Sequence, residues 1–226
     1  MKKVRFKLES GKNYDEVEVN VSSLCIIGYS GRNIKKTLEH INELSALGVE
    51  APKSVPEIYR CGTSILTQDK IIETVGRESS GEIEFIFFKH YGELYIGIGS
   101  DQTDRSMESY HMKKSKQVCQ KPIGTTIWKY EDLKNHWDRI CLTSWQTIDG
   151  EEVLYQKGTA ADILPLEALY SAVESFDSNM EDRVIFSGTV PLIAGFKYGS
   201  SFRGCIEDPV LNRSLNLSYD IRVVAE

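Results

Sequence analysis

Apolar and polar residues alternate along much of this chain, the period of half-buried strands. Residues 4–8 and 16–21 alternate around the turn Ser10-Gly11-Lys12-Asn13. Leu24-Cys25-Ile26-Ile27 is apolar throughout and stops at Gly28, which predicts a strand buried on both faces. Tyr29 to Asn33 is a turn able to cap a helix. From Ile34 to Leu47 the period becomes helical, with Ile34, Leu38, Ile41 and Leu44 in one stripe. Gly48 suits the position after the helix, and Pro52 forbids continuation. Residues 51–68 show little period and predict an ordered crossing segment, with a short strand after it from Ile71 to Val75.

The most informative stretch runs from Glu82 to Glu108. Glu82 to Phe88 is β-branched and aromatic, and Leu94 to Gly99 forms its return strand. A two-residue turn at Tyr91-Gly92 pairs His90 with Glu93. Counting outward sets Glu84 opposite Gly99 and Glu82 opposite Asp101, on one face of the pair. Further on, Lys121-Pro122-Ile123-Gly124 is expected to bend the chain, and Tyr130 to His136 to make a helical turn. Ile140 to Gln146 reads as a strand, turned by Asp149-Gly150 into Val153 to Gln156. Pro165 opens a helix carrying Leu166, Leu169, Val173 and Phe176. Arg183 to Ser187 is a buried strand ending at Gly188-Thr189, and Phe202 to Val224 holds two strands around Glu207-Asp208-Pro209. Strands outnumber helices, and no repeat or linker divides the chain. One mostly β, α+β domain over residues 1–226 is expected.

Composition narrows the function. With 226 residues and 41% apolar content, a sizeable core is possible. A net charge of −6 leaves no basic surplus for phosphates, so a nucleic-acid partner is not expected. Lys113, Lys114, Lys116 and Lys121 form the densest basic run, which by default reads as a solvated face. Five scattered cysteines without a CxxC spacing suit reduced thiols in the cytosol. The first residues lack the apolar region of a signal peptide, and no apolar run is long enough for a bilayer, so a cytoplasmic location with no membrane partner is expected.

Three carboxylates converging at one hairpin end repel unless a cation sits between them. Oxygen ligands suit Mg²⁺, Mn²⁺ or Ca²⁺ rather than zinc. The competing reading places two acids on a wet strand face, and a one-residue slip in register would send Asp101 to the other side. His40 and Glu43 lie three apart on the predicted helix. That spacing fits an ordinary surface pair or two groups acting on one substrate.

Several motifs, in order, resemble the fumarylacetoacetate hydrolase superfamily, and more closely a small branch classed as a domain of unknown function. They are His40-Ile41-Asn42-Glu43, Glu82-Ile83-Glu84, the run Asp101 to Glu108, Lys116 before a Pro-containing turn, Asp149-Gly150 with Gln156, and Gly188-Thr189. The resemblance implies a mixed β-sheet roll or sandwich with a few peripheral helices. Its N-terminal strands and lid helix would occupy about 1–75, and its metal-binding catalytic part about 76–226. It implies Glu82, Glu84 and Asp101 as metal ligands and His40, Glu43 and Lys116 as catalytic groups. Arg105, Gln156 and Thr189 would contact substrate, although Arg105 could instead pair with Asp104 or Glu108. The implied activity is divalent-metal-dependent hydrolysis of a carbon–carbon bond in a 1,3-dicarbonyl, acylpyruvate-like acid, in a homodimer. A decarboxylase or hydratase of the same scaffold, or a non-catalytic keto-acid binder, are the alternatives. Three features depart from the hydrolases: a shorter link from Glu84 to Asp101, Glu108 where they carry Gln, and Gln102 where the nearer branch carries His.

Overall fold

A computed structural model describes residues 1–46 and 51–226, without the side chains of His40 and of residues 43–46. In chain order the elements begin with β1 (Lys2–Ser10), β2 (Asn13–Val21), β3 (Ser23–Gly28) and α1 (Ile34–Ala46). They continue with β4 (Glu57–Cys61), β5 (Leu66–Thr67), β6 (Ile71–Val75), β7 (Ser79–Ser80), β8 (Ile83–His90) and β9 (Glu93–Ser100). Next come β10 (Thr103–Asp104), α2 (Arg105–Glu108), α3 (Met112–Val118), β11 (Lys121–Lys129) and α4 (Tyr130–Leu133). The last are β12 (Cys141–Ile148), β13 (Glu151–Thr159), α5 (Leu166–Phe176), β14 (Arg183–Thr189), β15 (Ser201–Asp208) and β16 (Arg213–Ala225).

Two sheets carry the mostly β fold. The larger runs β2-β1-β11-β9-β8-β14-β3-β4, with β5 added beside β11; the smaller runs β13-β12-β15-β16-β6. Both are mixed, since β1 with β11, β14 with β3 and β16 with β6 run parallel. β8 sits centrally, and its alternation explains why the strand is apolar almost throughout. Phe85 and Phe87 enter one core with Trp137, Leu142 and Phe202, whereas Ile86 and Phe88 enter the other with Val4, Phe6 and Phe186. A strand buried on both faces forms no polar edge.

The β8–β9 register is the predicted one: His90 pairs with Glu93, and Glu84 with Gly99. Tyr91 and Gly92 take φ of 50° and 81°, the left-handed pair that a two-residue hairpin turn needs. Gly99 serves packing. A Cβ there would lie 2.6 Å from both Ile86 and Phe186, so apolar side chains fill its bare face.

Three local expectations change. The crossing segment contains a strand, β4, paired along its length with β3. Lys121 to Gly124 is no bend but the start of β11, where Pro122 meets the parallel β5. That strand end supplies the tolerance for proline that a strand interior lacks. On α1, Ile41 is buried but Ile34 and Leu38 are 44% and 47% exposed, so the apolar stripe is only partly covered. Leu47 and Gly48 lie outside the described residues. No described helix is long and apolar enough to cross a membrane.

Candidate active site

The open end of the β8–β9 hairpin gathers charge. The Asp101 amide donates to the Glu82 carbonyl at 3.0 Å, closing the pair just beyond the two strands. Glu82, Glu84 and Asp101 then offer carboxylate oxygens that all lie within 4.8 Å of one another. Glu84 and Asp101 are 2% and 1% exposed, and Glu82 is half-buried. The wet strand face is therefore excluded by burial.

Each carboxylate is held differently. Glu84 accepts from the Gly188 amide at 2.8 Å. Gly188 has φ 79°, and a Cβ there would sit 1.8 Å from Ser30 Oγ, so only glycine lets this amide reach Glu84. Asp101 accepts from Lys116 Nζ at 2.5 Å, and Lys121 Nζ lies 3.3 Å from its other oxygen. Glu82 faces Arg105 at 3.2 Å.

These partners split the acids electrostatically. Burial pushes Glu84 well above the usual carboxylate range, and the nearby Asp101 charge pushes it further. Burial acts upward on Asp101 too, but Lys116 and Lys121 outweigh it and hold the group down at about 2. Lys116 is raised despite burial because Asp101, Glu108 and Glu82 surround it. A buried acid with no ion pair among the described residues, beside an ionised acid and a third carboxylate, fits a hard divalent cation.

The remaining predicted residues lie around this core, with their polar atoms committed to protein. Arg105 donates to Ser80 Oγ at 2.8 Å, to the Ser80 carbonyl at 3.3 Å and to Glu108 at 2.9 Å. Gln156 accepts from the Ile83 amide and from Ser144 Oγ, both at 2.9 Å. It donates to Thr189 Oγ1 at 2.7 Å and to the Val190 carbonyl at 2.8 Å, which uses both ends of its amide. Thr189 Oγ1 donates to the Ile83 carbonyl at 2.5 Å. Gln156 and Thr189 thus brace the strand between Glu82 and Glu84. The side chains of His40 and Glu43 lie outside the described residues. Their helix leaves the turn containing Ser30, which packs against Gly188 beside Glu84.

Lys121 is the site residue that the sequence reading missed. It is fully buried and also donates to the carbonyls of Gln102 and Cys119. The solvated-face reading of the basic run fails for Lys116 and Lys121, because Asp101 draws both ammonium groups inward. The signal was a lysine at the head of a strand buried over Lys121 to Gly124. Gln102 and Glu108 also have employment. Gln102 bridges Ser79 Oγ at 2.9 Å and Tyr219 Oη at 2.8 Å, and Glu108 is the partner of Arg105.

A model of a family described as proteins of unknown function, DUF2848, matches residues 27–219. The chain belongs to the DUF2848 family. No curated protein matches this DUF2848 member in sequence. Solved structures match it in fold. A hexagonal crystal form of 2-keto-3-deoxyarabinonate dehydratase superposes with TM-score 0.64 at 13% identity, covering 96% of this chain and 79% of that one. 2-Keto-3-deoxy-D-arabinonate dehydratase complexed with magnesium and 2,5-dioxopentanoate gives 0.63 at 14%, with the same coverage. Fumarylacetoacetate hydrolase from psychrophilic Exiguobacterium antarcticum gives 0.60 at 14%, covering 93% and 83%. The DUF2848 chain therefore has the fumarylacetoacetate hydrolase fold, and the predicted resemblance holds at the level of family and fold.

Proposed function

We propose that this protein is a divalent-metal-dependent hydrolase that cleaves a carbon–carbon bond of a 1,3-dicarbonyl, acylpyruvate-like acid. The observation that carries the reading is the meeting of Glu82, Glu84 and Asp101, two of them buried, with Glu84 in no ion pair among the described residues. These three residues would hold Mg²⁺ or Mn²⁺, with Ca²⁺ a weaker fit to a reaction centre. When bound, the ion supplies Lewis acidity that stabilises negative charge on a substrate enolate. The dehydratase of the same fold complexed with magnesium and 2,5-dioxopentanoate supports this choice.

The chain's own groups do the rest. Among the described residues Glu82, Asp101 and Glu108 pair with Arg105, Lys116 and Lys121, so ionising Glu84 to receive an ion would leave one negative charge in excess. A divalent ion turns that into one positive charge, which suits a single substrate carboxylate. Lys116 keeps ammonium protons beyond the one given to Asp101, and these would donate to the substrate oxygen that gains charge. Arg105, tied to Glu82 and Ser80, orients Glu82. Glu43 would orient His40, and His40 would take a proton from water. With Gln102 bridged to Tyr219 and Glu108 neutralised by Arg105, neither departure removes a group from this scheme.

The test is loss of enol absorbance when acylpyruvates meet the magnesium-loaded protein. Absence of turnover for every diketo acid tried would end this reading. A decarboxylase or dehydratase on the same scaffold is the second reading, favoured by the fold likeness to the arabinonate dehydratase. Product NMR separates the two, since only the hydrolase adds water across a carbon–carbon bond. A homodimer in the cytoplasm is part of the proposal, checked by light scattering and by fractionation.

A further inference from the structure

Asp101 sits at the apex of a tight turn, where the Gln102 amide donates to the Ser100 carbonyl at 3.0 Å. The side chains on either side of it reach one partner. Ser100 Oγ lies 2.8 Å from Tyr219 Oη, and Tyr219 Oη donates to Gln102 Oε1 at 2.8 Å. The other end of the Gln102 amide donates to Ser79 Oγ at 2.9 Å. Tyr219 gives its one proton to Gln102, so Ser100 must be the donor to Tyr219. The bonds therefore run in one direction, from Ser100 through Tyr219 and Gln102 to Ser79. Lys121 adds a further hold on this turn by donating to the Gln102 carbonyl.

Ser79, Ser100, Gln102 and Tyr219 are all buried. Tyr219 belongs to β16 in the smaller sheet, whereas Asp101 follows β9 of the larger one. Its ring stacks on Phe202, its register partner on β15, with ring centres 5.3 Å apart. The hydroxyl is thus held from outside the hairpin that carries the carboxylates. Gly81, immediately before Glu82, packs on the same hydroxyls. A Cβ there would lie 2.3 Å from Ser100 Oγ and 2.4 Å from Tyr219 Oη. Ionised Glu82 and Glu84 repel Asp101, and a turn free to open would let Asp101 back away from them.

We propose that Tyr219 is a positioning residue for the cation site. Its hydroxyl clamps Ser100 and Gln102 so that Asp101 stays within reach of Glu82 and Glu84 when an ion binds. The inference rests on the proposed function, since the three carboxylates must take an ion for the clamp to matter. Groups that orient metal ligands govern affinity without touching the metal, and a phenol bonded to both neighbours of one ligand is placed to do so.

The experiment is calorimetric titration with magnesium chloride of the unaltered protein and of Tyr219→Phe, Gln102→Met and Trp128→Phe. Tyr219→Phe keeps the ring on Phe202 and removes only the hydroxyl, and Gln102→Met opens the same bonds from the other side. Each should weaken magnesium binding at least about tenfold, the loss typical of groups that orient metal ligands. Combined, the two should weaken it little further, because both break one unit. Trp128→Phe is the control. It removes the bond from Trp128 Nε1 to Glu9 at 2.7 Å, toward the opposite end of β11 from Lys121. It should lower the melting temperature and leave magnesium affinity unchanged. Either clamp variant melting lower yet binding magnesium as tightly as the unaltered protein would overturn the inference and leave the proposed function standing. A loss of affinity matched by Trp128→Phe would overturn it as well. If magnesium does not bind the unaltered protein, the clamp falls together with the proposed metal site.

Discussion

Glu84→Gln should make the metal-free protein more stable while removing its response to magnesium. The side chain keeps its shape and an oxygen to accept from Gly188, so only the charge is lost. Two like charges within 4.8 Å of each other, at an effective dielectric near 20, repel by about 3 kcal/mol or more. Glu84 faces such a charge on Asp101 while buried, and the attraction of Lys116 recovers only part of the cost. Its folded-state pKa is raised above the unfolded value, so between those two values the folded state binds more protons. Metal-free protein should therefore lose stability as pH rises through that window, and the variant should lose less. A divalent ion binding the folded state at 100 times its Kd adds about 2.7 kcal/mol. For a chain of this size, that is a rise in Tm of roughly 5–10 °C. The assay is a thermal melt at neutral pH with magnesium and with chelator. Unaltered protein should show the full rise, and Glu84→Gln a higher starting Tm with almost no rise. A variant that keeps the whole magnesium shift would refute the carboxylate-cluster argument, because one buried ligand charge would then be dispensable.

Lys121→Met should destabilise the protein by roughly 3–5 kcal/mol, read from urea unfolding, since it strips a partner from the buried Asp101. The Asp101 carboxyl, held down at about 2 from 3.8, contributes roughly 2 kcal/mol that is present above pH 4. That contribution should fade as pH falls from about 4 to 2, visible as an acid limb in stability that Asp101→Asn lacks. Gln156→Leu should cost about 1–3 kcal/mol or more, because it orphans the buried Ile83 amide; a loss confined to substrate affinity would contradict the bracing role. His40→Ala should leave magnesium binding intact, measured by calorimetry, and stop hydrolysis.

Much of this protein was legible in its sequence because the decisive signals were local. A two-residue turn at Tyr91-Gly92 sets a strand register by counting, so the pairing of Glu84 with Gly99 needed no tertiary information. Asp149-Gly150, with φ of 52° and 84°, set the β12–β13 hairpin in the same way. The fold class came from periodicity, and the family from six short motifs in order. What the tertiary structure alone decided was which charges pair and which polar groups are already used. Lys121 reads as one more surface lysine until β11 docks beside β9 and brings it under Asp101. That Arg105, Gln156 and Thr189 are hydrogen-bonded within the protein appears only once β7, β8 and β14 supply their partners. Ile34 and Leu38 keep a helical period that the packing leaves partly uncovered. Register and period are properties of neighbours along the chain, whereas burial and charge pairing depend on strands far apart in sequence arriving at one place.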